Sequence, residues 1–366
     1  MTINVLIVDD SPFICKVIRR VLEEDNDFKV VGIAYNGQEA IQKNRDLHPD
    51  VITMDVEMPI MDGIAAVKAI MTEKPTPILM FSAMTQFGAK ATLDALSAGA
   101  IDFLPKQLED IDQNRENAKR TLRHRIRTVA LQAPKLKKLS PQQLPKSTEK
   151  IKTIGVTASE TRHPIPDAPN PTKPSAIRRL RLLVIVASTG GPVAVQQILS
   201  KLPARCPLPV LLVQHMPSTF TKSFAERLDH TCHIQVREAL HGEPLQAGLG
   251  LLAPGGMQME LKLVAGQLKI ELSPKSATDI YAPCADITLR SVAQCCPGQS
   301  LTVVLTGMGS DGKEGAKKLK QGGAMVWAQN EESCVIYGMP KAIVDAKLAD
   351  RILSLDEIGN EFSKLN

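Results

Sequence analysis

Three polar turns, each following an apolar run, place a serine, a histidine and an aspartate in similar settings. Val184 to Pro192 reads Val-Ile-Val-Ala-Ser-Thr-Gly-Gly-Pro; Gln214-His215-Met216-Pro217 follows Val210 to Val213; Thr306 to Gly312, with Asp311 as its sixth residue, follows Thr302 to Leu305. A serine hydroxyl is a weak nucleophile, so a histidine must take its proton and a carboxylate must hold the imidazole. The expected roles are Ser188 as nucleophile, His215 as base and Asp311 as the orienting acid. Taken singly, each has a plainer reading: Ser188 and Asp311 as helix caps, His215 as a structural histidine. The shared position after a strand joins them, since a parallel sheet brings strand ends to one edge. The Gly307-Met308-Gly309 turn offers the Met308 N–H to an oxyanion, joined by Thr189. The order Ser, His, Asp, and Val186 in place of the first glycine of a Gly-x-Ser-x-Gly elbow, point to a hydrolase design other than the α/β-hydrolase one.

A second constellation lies near the start. Asp9 and Asp10 follow a first apolar run, Asp55 a third, Ser82 a fourth and Lys106 a fifth. Three close carboxylates repel unless a cation joins them, and hard oxygen ligands favour Mg²⁺. Asp55 could then attack phosphorus, with Lys106 and Ser82 binding the phosphoryl oxygens. The product is an aspartyl phosphate.

The elements that must position these groups are legible as rhythm. Runs at Asn4 to Val8, Lys29 to Ile33, Val51 to Met54, Pro77 to Phe81 and Ile101 to Leu104 alternate with helical segments, predicting a five-stranded, flavodoxin-like α/β unit over residues 1–131. A basic helix, Arg115 to Leu131, should close it with its arginines facing solvent. From about 132 to 179, eight prolines and no aromatic residue describe a mobile tether, with contact to an acidic surface or to nucleic acid as the alternative. Residues 180–366 resume the rhythm as a second doubly wound parallel-sheet α/β domain.

Composition limits the function classes. The 366 residues can build two cores. No stretch approaches a membrane span and the start is no signal peptide, so a cytoplasmic protein without membrane insertion is expected. Seven cysteines without a Cys-x-x-Cys pair give no disulfide framework or zinc pattern. The net charge of +5 invites a nucleic-acid partner until it is located: residues 113–180 hold 16 Lys and Arg against 4 Asp and Glu, leaving −7 for the rest. A second domain that binds nucleic acid is therefore disfavoured, and no nucleic-acid partner is expected.

Val-Asp-Asp-Ser at 8–11, Met-Asp-Val-Glu-Met-Pro around Asp55, Ser82 and Pro105-Lys106 resemble the receiver domain of two-component response regulators. That resemblance implies Mg²⁺ at Asp9, Asp10 and Asp55, phosphorylation of Asp55, and Phe103 as an aromatic that repacks on phosphorylation, with a plain core role equally open. Ala-Ser-Thr-Gly-Gly-Pro, Gln-His-Met-Pro, Ala-Pro-Gly-Gly at 253–256, Leu-Thr-Gly-Met-Gly-Ser-Asp-Gly and Ala-Gln-Asn-Glu at 328–331 resemble the chemotaxis protein-glutamate methylesterases, the CheB family. The resemblance implies hydrolysis of glutamyl methyl esters and deamidation of glutamines on methyl-accepting chemotaxis receptors, no cofactor in the catalytic domain, and a chemotaxis histidine kinase as phosphodonor. An adaptor that keeps the fold without turnover is the remaining alternative. Two departures stand out: Val186 before Ala-Ser, and Asp279 to Asp286 in place of the basic stretch before Pro-Ser-Val-Asp, which leaves substrate preference open.

Overall fold

The computed structural model describes residues 2–106, 116–132 and 180–365. The first unit is a five-stranded parallel sheet ordered β2-β1-β3-β4-β5, with β1 Ile3–Val8, β2 Phe28–Ala34, β3 Val51–Asp55, β4 Ile78–Ser82 and β5 Asp102–Pro105. Helices α1 Pro12–Glu23 and α5 Glu116–Ala130 cover one face of the sheet, and α2 Gly37–Leu47, α3 Gly63–Glu73 and α4 Gln86–Ser97 cover the other. The alternation is readable in β1, whose Val5 and Ile7 face the first layer while Leu6 and Val8 face the second. Side-chain caps from Ser11, Asn36, Asp62 and Thr85 start the first four helices, which fixes where each strand's carboxyl end is released.

The second unit is a seven-stranded parallel sheet ordered β14-β13-β12-β6-β7-β9-β8. Its centre is β6 Leu182–Ala187, flanked by β7 Val210–Gln214 and β12 Ser300–Val304; β9 Leu249–Leu252 and β8 Gln235–Glu238 extend one side, β13 Met325–Gln329 and β14 Arg351–Leu353 the other. Helices α6 Gly191–Leu199, α7 Ser218–Thr231 and α11 Leu355–Phe362 pack on one face, and α8 Ala285–Cys295, α9 Lys313–Gln321 and α10 Met339–Asp345 on the other. Chain order reverses between β6 and β12, the position where open α/β sheets bind ligands. An antiparallel hairpin not expected from the sequence, β10 Met257–Val264 and β11 Gln267–Pro274, packs against α8 and turns at Ala265-Gly266, both at positive φ.

The units share a face. Helix α4 packs on α7, and the ring of Phe103, the second residue of β5, stacks on Phe220 of α7 with centroids 4.4 Å apart. One expectation is overturned: the basic side chains of α5 do not simply face solvent. Lys119 and Arg123 pair with Glu24, Arg127 with Asp25 and Asp27, and Arg125 with Asp102. Aspartates and glutamates that α5 meets only in the folded chain neutralise it. The tether expected at 132–179 lies, apart from Gln132, outside the described residues. Among the described residues no helix is long and apolar enough to cross a membrane.

Candidate active site and phosphoryl site

Ser188 follows β6, His215 follows β7 and Asp311 lies in the turn after β12, so three neighbouring strands deliver the three residues to one edge. The backbone continues to knit these ends together beyond the strands: Ser188 N–H donates to Thr306 O at 3.1 Å and His215 N–H to Ala187 O at 3.1 Å. Gln214, 2% exposed, adds a side-chain link, since its Nε2 donates to Ser188 O at 2.9 Å and to His215 O at 3.2 Å. Glycine is required beside it. A Cβ on Gly191 would lie 2.1 Å from Gln214 Oε1, and Gly190 takes φ 75° with Val335 packed where its Cβ would be.

His215 Nε2 lies 2.7 Å from Asp311 Oδ2. That leaves Nδ1 as the nitrogen available to Ser188, the reverse of the arrangement in chymotrypsin-like triads. Ser188 Oγ makes no hydrogen bond among the described residues, a common looseness in a resting hydrolase. Burial would push the Asp311 carboxyl up, yet His215 and the Asp286 and Ala285 N–H groups hold it at about 2. Those N–H groups, at the start of α8, lie 2.9 and 2.7 Å from the carboxylate; Gly312 N–H and Cys284 Sγ–H also donate to it, at 2.9 and 3.2 Å. Asp311 is therefore an anion seated on a helix N-terminus. Burial and this neighbour push the Cys284 thiol up to about 12, so it remains a donor.

The Gly307 to Gly309 turn lies against the nucleophile, for a Cβ on Gly307 would be 2.9 Å from Ser188 Cβ. Among the described residues the Met308 and Thr189 N–H groups make no hydrogen bond, which leaves both free to face an oxyanion. The turn is held from behind by Gln329 of the 328–331 motif, whose Oε1 accepts the Thr306 N–H at 2.7 Å. Val186 is wholly buried in β6. The 279–286 segment supplies more than a surface: Ala285 and Asp286 hold Asp311, and the Tyr281 ring stacks on His215.

The crevice over Ser188 is a cavity of about 270 Å³ whose walls include Ser188, Thr189 and His215 on one side, Asp102, Phe103 and Arg125 on the other. Arg125 lies 2.5 Å from both Asp102 Oδ2 and Thr189 Oγ1, and Thr189 Oγ1 donates to the same Asp102 oxygen at 2.9 Å. Thr128 Oγ1 reaches Met308 Sδ at 3.4 Å. The first unit thus grips both residues expected to bind the oxyanion. No local pattern marks Arg125 or Asp102 for this role, because both read as ordinary members of a basic helix and a strand. Phe103 is found in the joint rather than in either single core.

At the first sheet's carboxyl edge, carboxylate oxygens of Asp9, Asp10 and Asp55 lie within 4.8 Å of one another. Lys106 Nζ is 2.7 Å from Asp55 and 2.9 Å from Asp9. Burial pushes Asp55 up to about 6 and raises Asp9 too, with Lys106 opposing both shifts. A crowded, partly desolvated set of hard oxygen donors suits Mg²⁺, whose charge would relieve the crowding. Ser82 directly follows Phe81, the register partner of Asp55, but its hydroxyl donates to Gly88 O at 3.1 Å and Ala83 O at 3.2 Å, so it is engaged at the start of α4.

Comparisons with known proteins agree in kind. A family model described as CheB methylesterase matches residues 183–362, and one described as response regulator receiver domain matches residues 5–118. A Vibrio vulnificus protein named protein-glutamate methylesterase/protein-glutamine glutaminase 1 is 47% identical, with 98% of this chain and 97% of that protein covered. A Pseudomonas putida protein of the same activity name is 48% identical, with 98% of each covered. Among solved structures, the Thermotoga maritima CheB methylesterase catalytic domain is 38% identical over 51% of this chain and 99% of its own, with a TM-score of 0.49.

Proposed function

This chain belongs to the CheB methylesterase family, with a receiver domain preceding the esterase, and from that membership we propose that it hydrolyses glutamyl methyl esters on chemoreceptors and deamidates receptor glutamines, under control of Asp55 phosphorylation. The single observation that carries the chemistry is the buried His215–Asp311 pair, fixed by the start of α8 at the sheet edge where Ser188 follows β6. Ser188 Oγ attacks the side-chain carbonyl while His215 Nδ1 takes its proton. Asp311 stabilises the resulting imidazolium, and the Met308 and Thr189 N–H groups face the oxyanion. His215 returns the proton to the leaving methoxide or amide nitrogen, methanol or ammonia departs, and water hydrolyses the acyl-enzyme to glutamate.

The receiver supplies control. Asp9, Asp10 and Asp55 would hold Mg²⁺, which supplies positive charge to the phosphoryl group, and Lys106 would pair with a phosphoryl oxygen. Lys106, released from Asp55, and Ser82, drawn from Gly88 O, change the packing at the ends of β4 and β5. The same strand β5 carries Asp102 and Phe103, which wall the crevice, so a phosphoryl group at Asp55 biases the joint. A chemotaxis histidine kinase would be the phosphodonor, residues 132–179 the tether between the two domains, and the cytoplasm the compartment. Membranes bearing methylated chemoreceptors test the chemistry. Methanol release by the wild type and none by Ser188→Ala is expected; equal release by both would overturn the assignment of Ser188.

A further inference from the structure

Tyr281 lies in the loop before α8, and its side chain reaches both His215 and the oxyanion turn. Its ring is parallel to that of His215, with centroids 4.3 Å apart and planes 10° apart. Its hydroxyl reaches the oxyanion turn, lying 3.4 Å from the position a Cβ on Gly309 would take. The placement is built from behind. Gln258, 3% exposed, donates from Nε2 to Tyr281 O at 2.8 Å and to Asp279 Oδ2 at 3.0 Å, and accepts the Cys284 N–H on Oε1 at 2.9 Å. Gly256 N–H donates to Ala282 O at 3.0 Å. Gln258 of β10 and Gly256 just before it thus pin the loop on either side of the aromatic ring.

Asp311 fixes one atom of the imidazole, Nε2, which leaves the plane free to swing about that hydrogen bond. A flat ring laid on its face removes that freedom. The same face is electron-rich, and a cation held over it is stabilised. We propose that Tyr281 is a positioning residue for His215: its ring holds the imidazole with Nδ1 directed to the nucleophile and stabilises the positive charge that arises when the proton of Ser188 arrives. Because that charge exists in the transition state and not in the resting enzyme, the contribution falls on turnover more than on binding. The inference rests on the proposed roles of Ser188, His215 and Asp311.

The test uses full-length protein with Mg²⁺ and acetyl phosphate, assayed on p-nitrophenyl acetate and on methylated receptor membranes. Tyr281→Leu is expected to lower kcat on the small ester by roughly tenfold, between what an exposed and a fully desolvated cation–ring contact provides, with KM changed little. Tyr281→Phe, which restores the ring and not the hydroxyl, should recover most of that loss. A Tyr281→Leu enzyme with wild-type kcat, or a Tyr281→Phe enzyme as impaired as the leucine variant, would overturn the proposal. Wild type that hydrolyses the small ester through Ser188 but releases no methanol would defeat the receptor substrate while leaving the Tyr281 comparison decisive; wild type inactive on both would remove both.

Discussion

Arg125→Ala should raise the basal activity of the unphosphorylated enzyme. The Arg125 guanidinium ties Thr189 Oγ1 to Asp102 across the joint, but its bond to Asp102 lies within the receiver, and Thr189 keeps its own bond to Asp102 when Arg125 is gone. The substitution thus removes one charge-assisted hydrogen bond from the closed state, about 1.5–2 kcal/mol in this half-buried setting. A shift of that size changes the ratio of closed to open by roughly 10- to 30-fold, and basal methanol release should rise accordingly, up to the level of the phosphorylated wild type. The surface contact of Arg227 with Asp94, at 2.6 Å and with Asp94 nearly half exposed, should matter less: Arg227→Ala should raise basal activity by about fivefold at most. The assay is initial-rate methanol release without phosphodonor, against the same enzymes with it. An Arg125→Ala enzyme with wild-type basal and stimulated rates would refute the reasoning that this clamp holds the crevice closed.

Other outcomes follow from the same geometry. Asp55→Asn should abolish acid-labile phosphorylation by acetyl phosphate, and undiminished labelling would contradict the assignment. Ser188→Ala should cost on the order of 10⁴-fold in esterase rate. Asp311 is held at about 2 against an ordinary 3.8, so its pairing contributes stability that is fully present above about pH 4 and lost as pH falls through about 2. The contribution is about 2 kcal/mol. Urea unfolding of Asp311→Asn should therefore show less acid dependence between pH 4 and 2 than wild type, and equal dependence would place the shift elsewhere. Gly191→Ala should displace Gln214 and lower activity at least tenfold with the fold retained by circular dichroism; full activity would show that the Gln214 link is dispensable.

The sheets were legible in the sequence because buried parallel strands read as apolar runs, and the residues at their carboxyl ends stand out by being polar. Ser188, His215 and Asp311, like Asp9, Asp55 and Lys106, are each marked in this way. Strand ends were approximate by a residue or two, as at β12, expected from Thr302 and found from Ser300. What escaped reading depends on long-range placement. Arg125 meets Thr189 across 64 positions, and Asp102 meets it across 87, with no local pattern in either segment. Donors to Asp311 are backbone N–H groups at the start of α8, which side-chain identity does not reveal. The hairpin of β10 and β11 alternates too weakly at its exposed tip, Leu263 and Val264, to separate from a loop. The choice of Nε2 for Asp311 is a matter of ring orientation, which only the packed neighbours fix.

The central claim is that a phosphoryl group on Asp55 governs hydrolysis at Ser188. It is tested most directly by the rate of methanol release from methylated receptor membranes, with and without Mg²⁺ and acetyl phosphate, for wild type and Asp55→Asn. The expected result is stimulation of the wild type and none of the variant. Equal stimulation of both, or an unstimulated wild type that is nonetheless phosphorylated, would contradict it.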